Sequence, residues 1–302
     1  MNQKYEFTGE TMNHFGRTLH RIKAISSFGS VKKGDIGGWI ETEENLSASG
    51  NAWVSGNARV SDDARVSGNA WVSGNAWVSG KARVSDDARV SGKARVSGNA
   101  SVSGNARVSD DAWVSGKARV SDDASVFGNA SVFGNAWVSD DARVSDDARV
   151  FGNASVSGNA RVSDDAWVSG KARVSDDASV FGNASVFGNA WVSDDARVSD
   201  DARVSGNARV SDDAWVSGNA RVSDDARVSG EYDFITIGPI GSRSDITTFY
   251  RLKQGGIGVN CGCFNGTLDD FEAKVHKTHA GTIHERAYMA AIRMAREIMS
   301  HD

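Results

Sequence analysis

Between Asn51 and Gly230 this 302-residue chain contains no histidine and no threonine, and its whole length holds one proline and two cysteines. Each scarcity excludes something. Without histidine, the middle of the chain has no evident general base for acid–base chemistry. Two cysteines, Cys261 and Cys263, cannot form a disulfide framework and fit a reducing compartment. No apolar run approaches the roughly 20 residues of a membrane span. The opening MNQKYEFTGE lacks the basic-then-apolar pattern of a secretion signal, so a cytoplasmic location is expected. Charges nearly balance at −5, which leaves no strong field to recruit nucleic acid or an anionic membrane.

What is present is a six-residue pattern that runs without a break from Asn51 to Gly230. Every sixth residue from Ala52 to Ala226 is alanine and every sixth from Val54 to Val228 is valine, thirty of each. The unit reads A-x-V-S/F-G/D-N/D/K, with x restricted to Arg, Trp or Ser. The A-x-V-S portion alternates as a short strand does, Ala and Val facing one way, x and Ser or Phe the other. Gly-Asn, Gly-Lys or Asp-Asp completes the unit with residues that tolerate tight corners and positive φ. Strand plus corner, repeated, predicts a polygonal coil around a narrow Val/Ala core.

V-S-G-N-A-R, with Val54 and Ala58 or Val60 and Ala64 spaced by four, resembles the hexapeptide signature of left-handed parallel β-helices. The resemblance implies triangular coils of eighteen residues. An internal duplication agrees, since Gly98 to Val150 recurs letter for letter as Gly152 to Val204, a shift of 54 residues or three such coils. The thirty units then make ten coils, and at about 4.8 Å per coil a prism roughly 48 Å long. Stability in such a stack is a sum of nearest-neighbour terms, so its ends need caps.

With this coil size the x residues sort onto three faces, and the array's eight tryptophans point outward. Trp113 and Trp167 fall on one face, Trp137 and Trp191 on another. Exposed Trp beside Arg permits cation–π stacking and marks candidate partner-binding positions. Homo-oligomerisation through a face is the simplest case, and the resemblance implies a trimer. Asp pairs stack at the corners, for example Asp122/Asp123 with Asp140/Asp141. Carboxylates so close need solvent, Arg partners or a bridging cation; solvent and Arg are the expectation, and no metal site is assigned.

Residues 1–48 lack the repeat and read as an N-terminal β cap. Tyr5–Thr8 and Thr18–Ile25 are expected as strands broken by Gly9 and Gly16, with Leu46 and Ala48 beginning the alanine and valine slots. The β-helix proper spans 49–230, and 231–302 reads as a C-terminal α+β domain. There, Tyr232–Ile237, Ile246–Leu252 and Ile257–Cys261 are expected strands. Thr267 with Asp270 caps a helix, and Ile283–Met299 carries a helical apolar stripe. Two C-terminal features are candidate binding elements. Gly238-Pro239-Ile240-Gly241-Ser242-Arg243 is a glycine-rich turn that offers backbone N–H groups and an Arg to an anion. Cys261-Gly262-Cys263 raises zinc together with His276, His279 and His284, but the spacing matches no standard ligand pattern. No metal or other cofactor is assigned.

Hexapeptide β-helices are often acyltransferases, yet these use a histidine base and commonly a projecting loop, and the array offers neither. Ice-binding β-helices show threonine ranks, also absent. The layout further resembles phage- and prophage-encoded hexapeptide proteins and YdcK-type proteins, often labelled acyltransferases. It does so through G-D-I-G-G-W-I-E at Gly34–Glu41, I-G-P-I-G-S-R and C-G-C-F. A phage origin would make the cytoplasm that of the infected host and a host protein a candidate partner. The reading is therefore a non-enzymatic scaffold or binding protein that uses its Trp/Arg faces or C-terminal domain. The alternatives are an acyltransferase-like enzyme with its site at a subunit junction, and a small-anion or nucleotide binder in the C-terminal domain.

Overall fold

A computed structural model of the chain describes residues 3–230 and 232–300; Glu231, where the third expected segment begins, lies outside them. The chain forms two compact units, Met1–Asp164 and Asp165–Asp302. Both contain the parallel β-helix expected from the hexapeptides, with strands paired in register 18 residues apart, as in Arg89 with Arg107 and Ser179 with Arg197. Every repeat Ala and Val is buried.

The strands are shorter than the four residues expected. Only x and Val are extended, as in Arg59–Val60, because the Ala N–H turns back to the preceding Ser carbonyl, as from Ala58 to Ser55 at 3.2 Å. The corner itself continues the ladder, with the Asn57 N–H donating to the Gly74 carbonyl at 2.8 Å. The first corner residue lies in the left-handed region, φ 64° at Gly56 and 61° at Asp62. That is why the slot holds only Gly or Asp, residues that bear this conformation at low cost.

The Asp corners are held differently from the expected Arg pairing. Asp86 accepts the Ser85 hydroxyl at 3.2 Å and the Gly104 N–H, one coil on, also at 3.2 Å. The second corner residue forms side-chain ladders, Asn51 to Asn69 at 2.9 Å and Asn69 to Asp87 at 3.1 Å. Short-range hydroxyl and amide donors therefore hold these carboxylates, while at other corners Asp62 meets the expected guanidinium, that of Arg17, and Asp111 faces Lys93 at 3.8 Å.

In the first unit β1 (Tyr5–His14) and β2 (Arg17–Ala24) form an antiparallel hairpin, and β3 (Ile36–Ile40) pairs antiparallel with β2 and parallel with Arg59–Val60. β1 runs through Gly9, which sits in a register shift between Phe7 and Thr11 instead of ending the strand. The cap's register also differs from expectation. Leu46, not Ala48, lies opposite Val66, so the first turn carries two extra residues before the 18-residue spacing begins. At Gly37 and Gly38 cap and coil approach closely, since a Cβ at Gly37 would stand 2.5 Å from Ile22 and 2.7 Å from the Trp53 ring, and one at Gly38 2.7 Å from the Ala58 carbonyl oxygen. Trp53 is consequently buried at 2 % exposure, edge-on to Phe28 at 5.5 Å. Trp77 is stacked under Phe15 at 5.2 Å. These two outward tryptophans serve the cap.

In the second unit the solenoid is followed by an antiparallel meander of Phe234–Ile240, Asp245–Arg251, Ile257–Cys261 and Phe264–Thr267. Two helices complete it, α1 (Leu268–His279) and α2 (Ile283–Met299). The Thr267 hydroxyl caps α1 by accepting from the Asp270 N–H at 3.2 Å. One face of the sheet packs Phe249 and Val259 against Phe271, Val275 and Ile292 of the helices. The other face covers the last coil: the Arg221 N–H donates to Thr248 Oγ1 at 2.9 Å and the Lys253 N–H to the Asp225 carbonyl at 2.9 Å. An open coil end exposes unpaired backbone groups, and this sheet supplies their partners.

Candidate functional site

A four-stranded meander puts its first and third turns at one end and its second at the other. The turn between Ile240 and Asp245 carries Ser242 and Arg243, and the turn between Cys261 and Phe264 carries Cys263. They therefore come to the same edge of the sheet, where α1 passes over them. The result is a cleft of about 200 Å³ lined by Ser242, Arg243, Cys261 and Cys263. All four C-terminal residues singled out in the sequence meet there.

The floor is made by Tyr288 of α2, which is 7 % exposed. The glycine turn rests on it. A Cβ at Gly241, whose φ is 75°, would fall 1.8 Å from the Tyr288 hydroxyl oxygen, so the turn adopts this position only with glycine. Cys261 Sγ receives the Thr247 hydroxyl at 3.1 Å and lies 3.8 Å from the Tyr288 hydroxyl. Burial pushes the Tyr288 phenol up to about 12; the Cys261 contact and the Asp245 carboxylate act in the same direction, and Arg243 opposes them. The phenol thus stays protonated and neutral at physiological pH, as a donor or acceptor in the cleft floor.

Around this floor the walls are mixed. Phe264, Phe271 and Val275 give apolar surface, while Lys274, Thr278 and His279 of α1 bring polar groups to the same side. Arg243 and Lys274 are both exposed, so the mouth carries two cations facing one carboxylate, Asp245. The His279 ring lies 5.6 Å from Tyr288 and 5.9 Å from His284. His276 turns away to Glu285 at 2.7 Å; this contact, and the Gly281 N–H, hold the Glu285 carboxyl below its usual range. Among the described residues no group of three or more His, Cys, Asp or Glu is placed to hold a metal ion.

Sequence reasoning misses Tyr288 and Lys274 as site residues and places His279 only in a zinc set. A signal for Lys274 and Thr278 exists, since both sit beside the Phe271/Val275 stripe where a fully packed helix would be apolar. Tyr288 gives no such signal, because its spacing is that of any core residue.

Of the array's eight tryptophans, the four singled out as candidate binding positions, Trp113, Trp137, Trp167 and Trp191, are not part of this cleft. Trp113 and Trp137 are 50 % and 48 % exposed and Trp167 is 45 % exposed. Trp191 is half-buried beneath Arg209, whose guanidinium carbon is 4.9 Å from the ring centre. Several indoles are pinned by a hydrogen bond to the previous coil, from Trp113 to Ser97 at 3.2 Å, Trp137 to Ser121 at 3.1 Å and Trp191 to Ser175 at 3.1 Å. Among the described residues no helix is long and apolar enough to cross a membrane.

The family model of the YdcK β-solenoid repeat matches residues 64–80, 82–98, 100–116, 142–158, 154–170 and 202–218. No curated protein matches the sequence. Among solved structures, the UDP-N-acetylglucosamine acyltransferase of Francisella novicida is 15% identical, with a TM-score of 0.43 over 76% of this chain and 88% of that one. The UDP-N-acetylglucosamine O-acyltransferase of Moraxella catarrhalis is 11% identical, with a TM-score of 0.38 over 75% of this chain and 91% of that one. The Arabidopsis UDP-N-acetylglucosamine acyltransferase is 11% identical, with a TM-score of 0.25 over 81% and 88%.

Proposed function

We propose that this protein, a hexapeptide-repeat chain built on the YdcK β-solenoid repeat, is a binding protein in which the solenoid is a scaffold and the C-terminal cleft takes a small anionic molecule. The observation that carries the reading is the meeting of Ser242, Arg243, Cys261 and Cys263 with Lys274 and Tyr288 around one cleft. Two cations at the mouth attract a phosphate or carboxylate, the Ser242 hydroxyl adds a hydrogen-bonding group beside them, and the Phe264/Phe271 wall shelters an apolar portion of the ligand. The division into a cap of 1–48, a β-helix of 49–230 and a domain of 231–302 belongs to the same reading. The exposed solenoid tryptophans then serve contacts between copies of the chain, with a trimer as the assembly.

Titration calorimetry with phosphate, coenzyme A and nucleotides, on the full chain and on Arg243→Ala/Lys274→Ala, tests it. A ligand whose binding is lost in the double variant supports the cleft. Equal binding by both proteins removes it.

A second reading, acyl transfer, is favoured by one feature of the same cleft. Cys261, Cys263, His279 and Tyr288 line it together, so thiol, imidazole and phenol groups are available for nucleophilic and proton-transfer roles. Incubation with acyl-coenzyme A and mass measurement of the intact protein distinguishes the two. An acyl adduct lost in Cys261→Ser or Cys263→Ser, or catalytic release of coenzyme A, establishes transfer; neither outcome leaves binding alone.

A further inference from the structure

Six x positions of the array are serine: Ser101, Ser125, Ser131, Ser155, Ser179 and Ser185. At four of them the loss of bulk is compensated two residues later by Phe127, Phe133, Phe181 or Phe187. Ser101 and Ser155 are instead followed by Ser103 and Ser157. Ser155 lies beside Trp137. Ser101 is paired with Arg83 on one side and Arg119 on the other. It is thus an uncompensated gap in an arginine rank.

The gap is open and cationic. A groove of about 600 Å³ runs from Arg83 over Ser101 and Ser103 to Arg119 and on to Ser121 and Trp137 at its far end, and Lys81, Asn99 and Lys117 form the adjoining rank at the corner. Adjacent coils stand about 4.8 Å apart, so four cations bracket a neutral Asn99/Ser101 floor from one coil above and one below. Among the described residues none of Lys81, Arg83, Lys117 and Arg119 has a carboxylate within ion-pair distance. The nearby Asp86 carboxylate is already engaged by Ser85 and by the Gly104 N–H. Four cations held around a hydroxyl- and amide-lined pit repel one another until an anion enters, and guanidinium groups meet phosphate oxygens two at a time.

We propose that the pit over Ser101 is a second ligand site, on the solenoid face, that binds a diphosphate group. Each phosphate is taken by the Lys–Arg pair of one flanking coil, Lys81 with Arg83 and Lys117 with Arg119, and the Ser101 and Ser103 hydroxyls hydrogen-bond the oxygens between them. About 9.6 Å separates the two arginine coils, and all four cations line the groove between them, which suits two linked phosphates better than one.

The test is calorimetry with inorganic pyrophosphate on the full chain carrying Arg243→Ala/Lys274→Ala, so that the C-terminal cleft does not contribute. Ser101→Arg in that chain restores the commonest residue at this slot and adds positive charge, so folding is retained, as circular dichroism will verify. Binding at one site per chain, weakened at least 10-fold by Ser101→Arg and by Arg83→Gln/Arg119→Gln, supports the site. Unchanged or tighter binding in Ser101→Arg means that general attraction to basic residues is at work, and overturns it. Equal affinity for phosphate and pyrophosphate overturns the assignment to a diphosphate, as does absence of binding to the Arg243→Ala/Lys274→Ala chain.

Discussion

The Tyr250 hydroxyl lies 3.0 Å from Ser223 Oγ and 3.0 Å from Asn265 Oδ1, a buried junction where the C-terminal sheet closes the last coil. Burial raises the Tyr250 phenol to about 12, with the charge of Asp224 acting in the same direction and the Ser223 hydrogen bond opposing. In the folded state this phenol holds its proton beyond the unfolded value near 10. Its contribution to stability is therefore complete below pH 10 and is lost as pH rises through 10–12. Tyr250→Phe is expected to cost about 1 kcal/mol at neutral pH and to flatten the stability profile in that alkaline window, as measured by urea denaturation.

Lys4 behaves oppositely. It is 4 % exposed, its ammonium is 3.0 Å from the Ser47 carbonyl oxygen and 4.7 Å from the Phe28 ring centre, and burial lowers its pKa to about 8. Between pH 8 and the unfolded value near 10.5 the unfolded chain binds more protons, so this residue's share of stability rises with pH. Lys4→Met is expected to remove that rise. A stability profile that keeps the same slope in the variant contradicts the assignment.

The solenoid core has no room to adjust, because each Val and Ala is packed by the coil on either side. Val120, fully buried, is expected to cost roughly 1–3 kcal/mol when truncated to alanine. Ala118→Leu is expected to cost a similar amount by overpacking. Denaturant midpoints of the two variants provide the check.

Gly241→Ala combines a left-handed φ with a clash against Tyr288, and is expected to destabilise the C-terminal domain by more than about 1 kcal/mol. It should also abolish ligand uptake at the cleft. Urea denaturation and calorimetry report the two effects separately.

Light scattering on the purified chain is expected to give a trimer. Trp113→Ser/Trp137→Ser, which removes large exposed surface without touching the Val/Ala core, should shift the mass toward the monomer. A wild-type monomer would remove the tryptophan faces as contacts between copies.

The sequence by itself determined the coil. A perfect Ala/Val period with Gly or Asp at one corner slot fixes a short strand, an inward small pair and a corner of positive φ; the eighteen-residue size of the coil was implied by the resemblance to hexapeptide β-helices and supported by the 54-residue duplication. The helices and three of the four strands of residues 232–300 were legible, through turn glycines, the Thr267 cap and a 3.6-residue stripe; the fourth strand, Phe264–Thr267, gave no signal, and the first runs on through Gly238-Pro239 to Ile240 instead of ending there. Tertiary structure decided what those local signals cannot encode. Leu46 rather than Ala48 meets Val66 because the cap, not the repeat, sets the first register. Trp53 and Trp77, outward in the repeat, are covered because the cap folds back over them. Arg243 and Cys263, twenty residues apart, reach one cleft because alternate turns of a meander share an end, and Tyr288 joins them only when α2 packs beneath. Spacing along a chain describes neighbours within one element; which elements meet depends on how the sheet and helices pack.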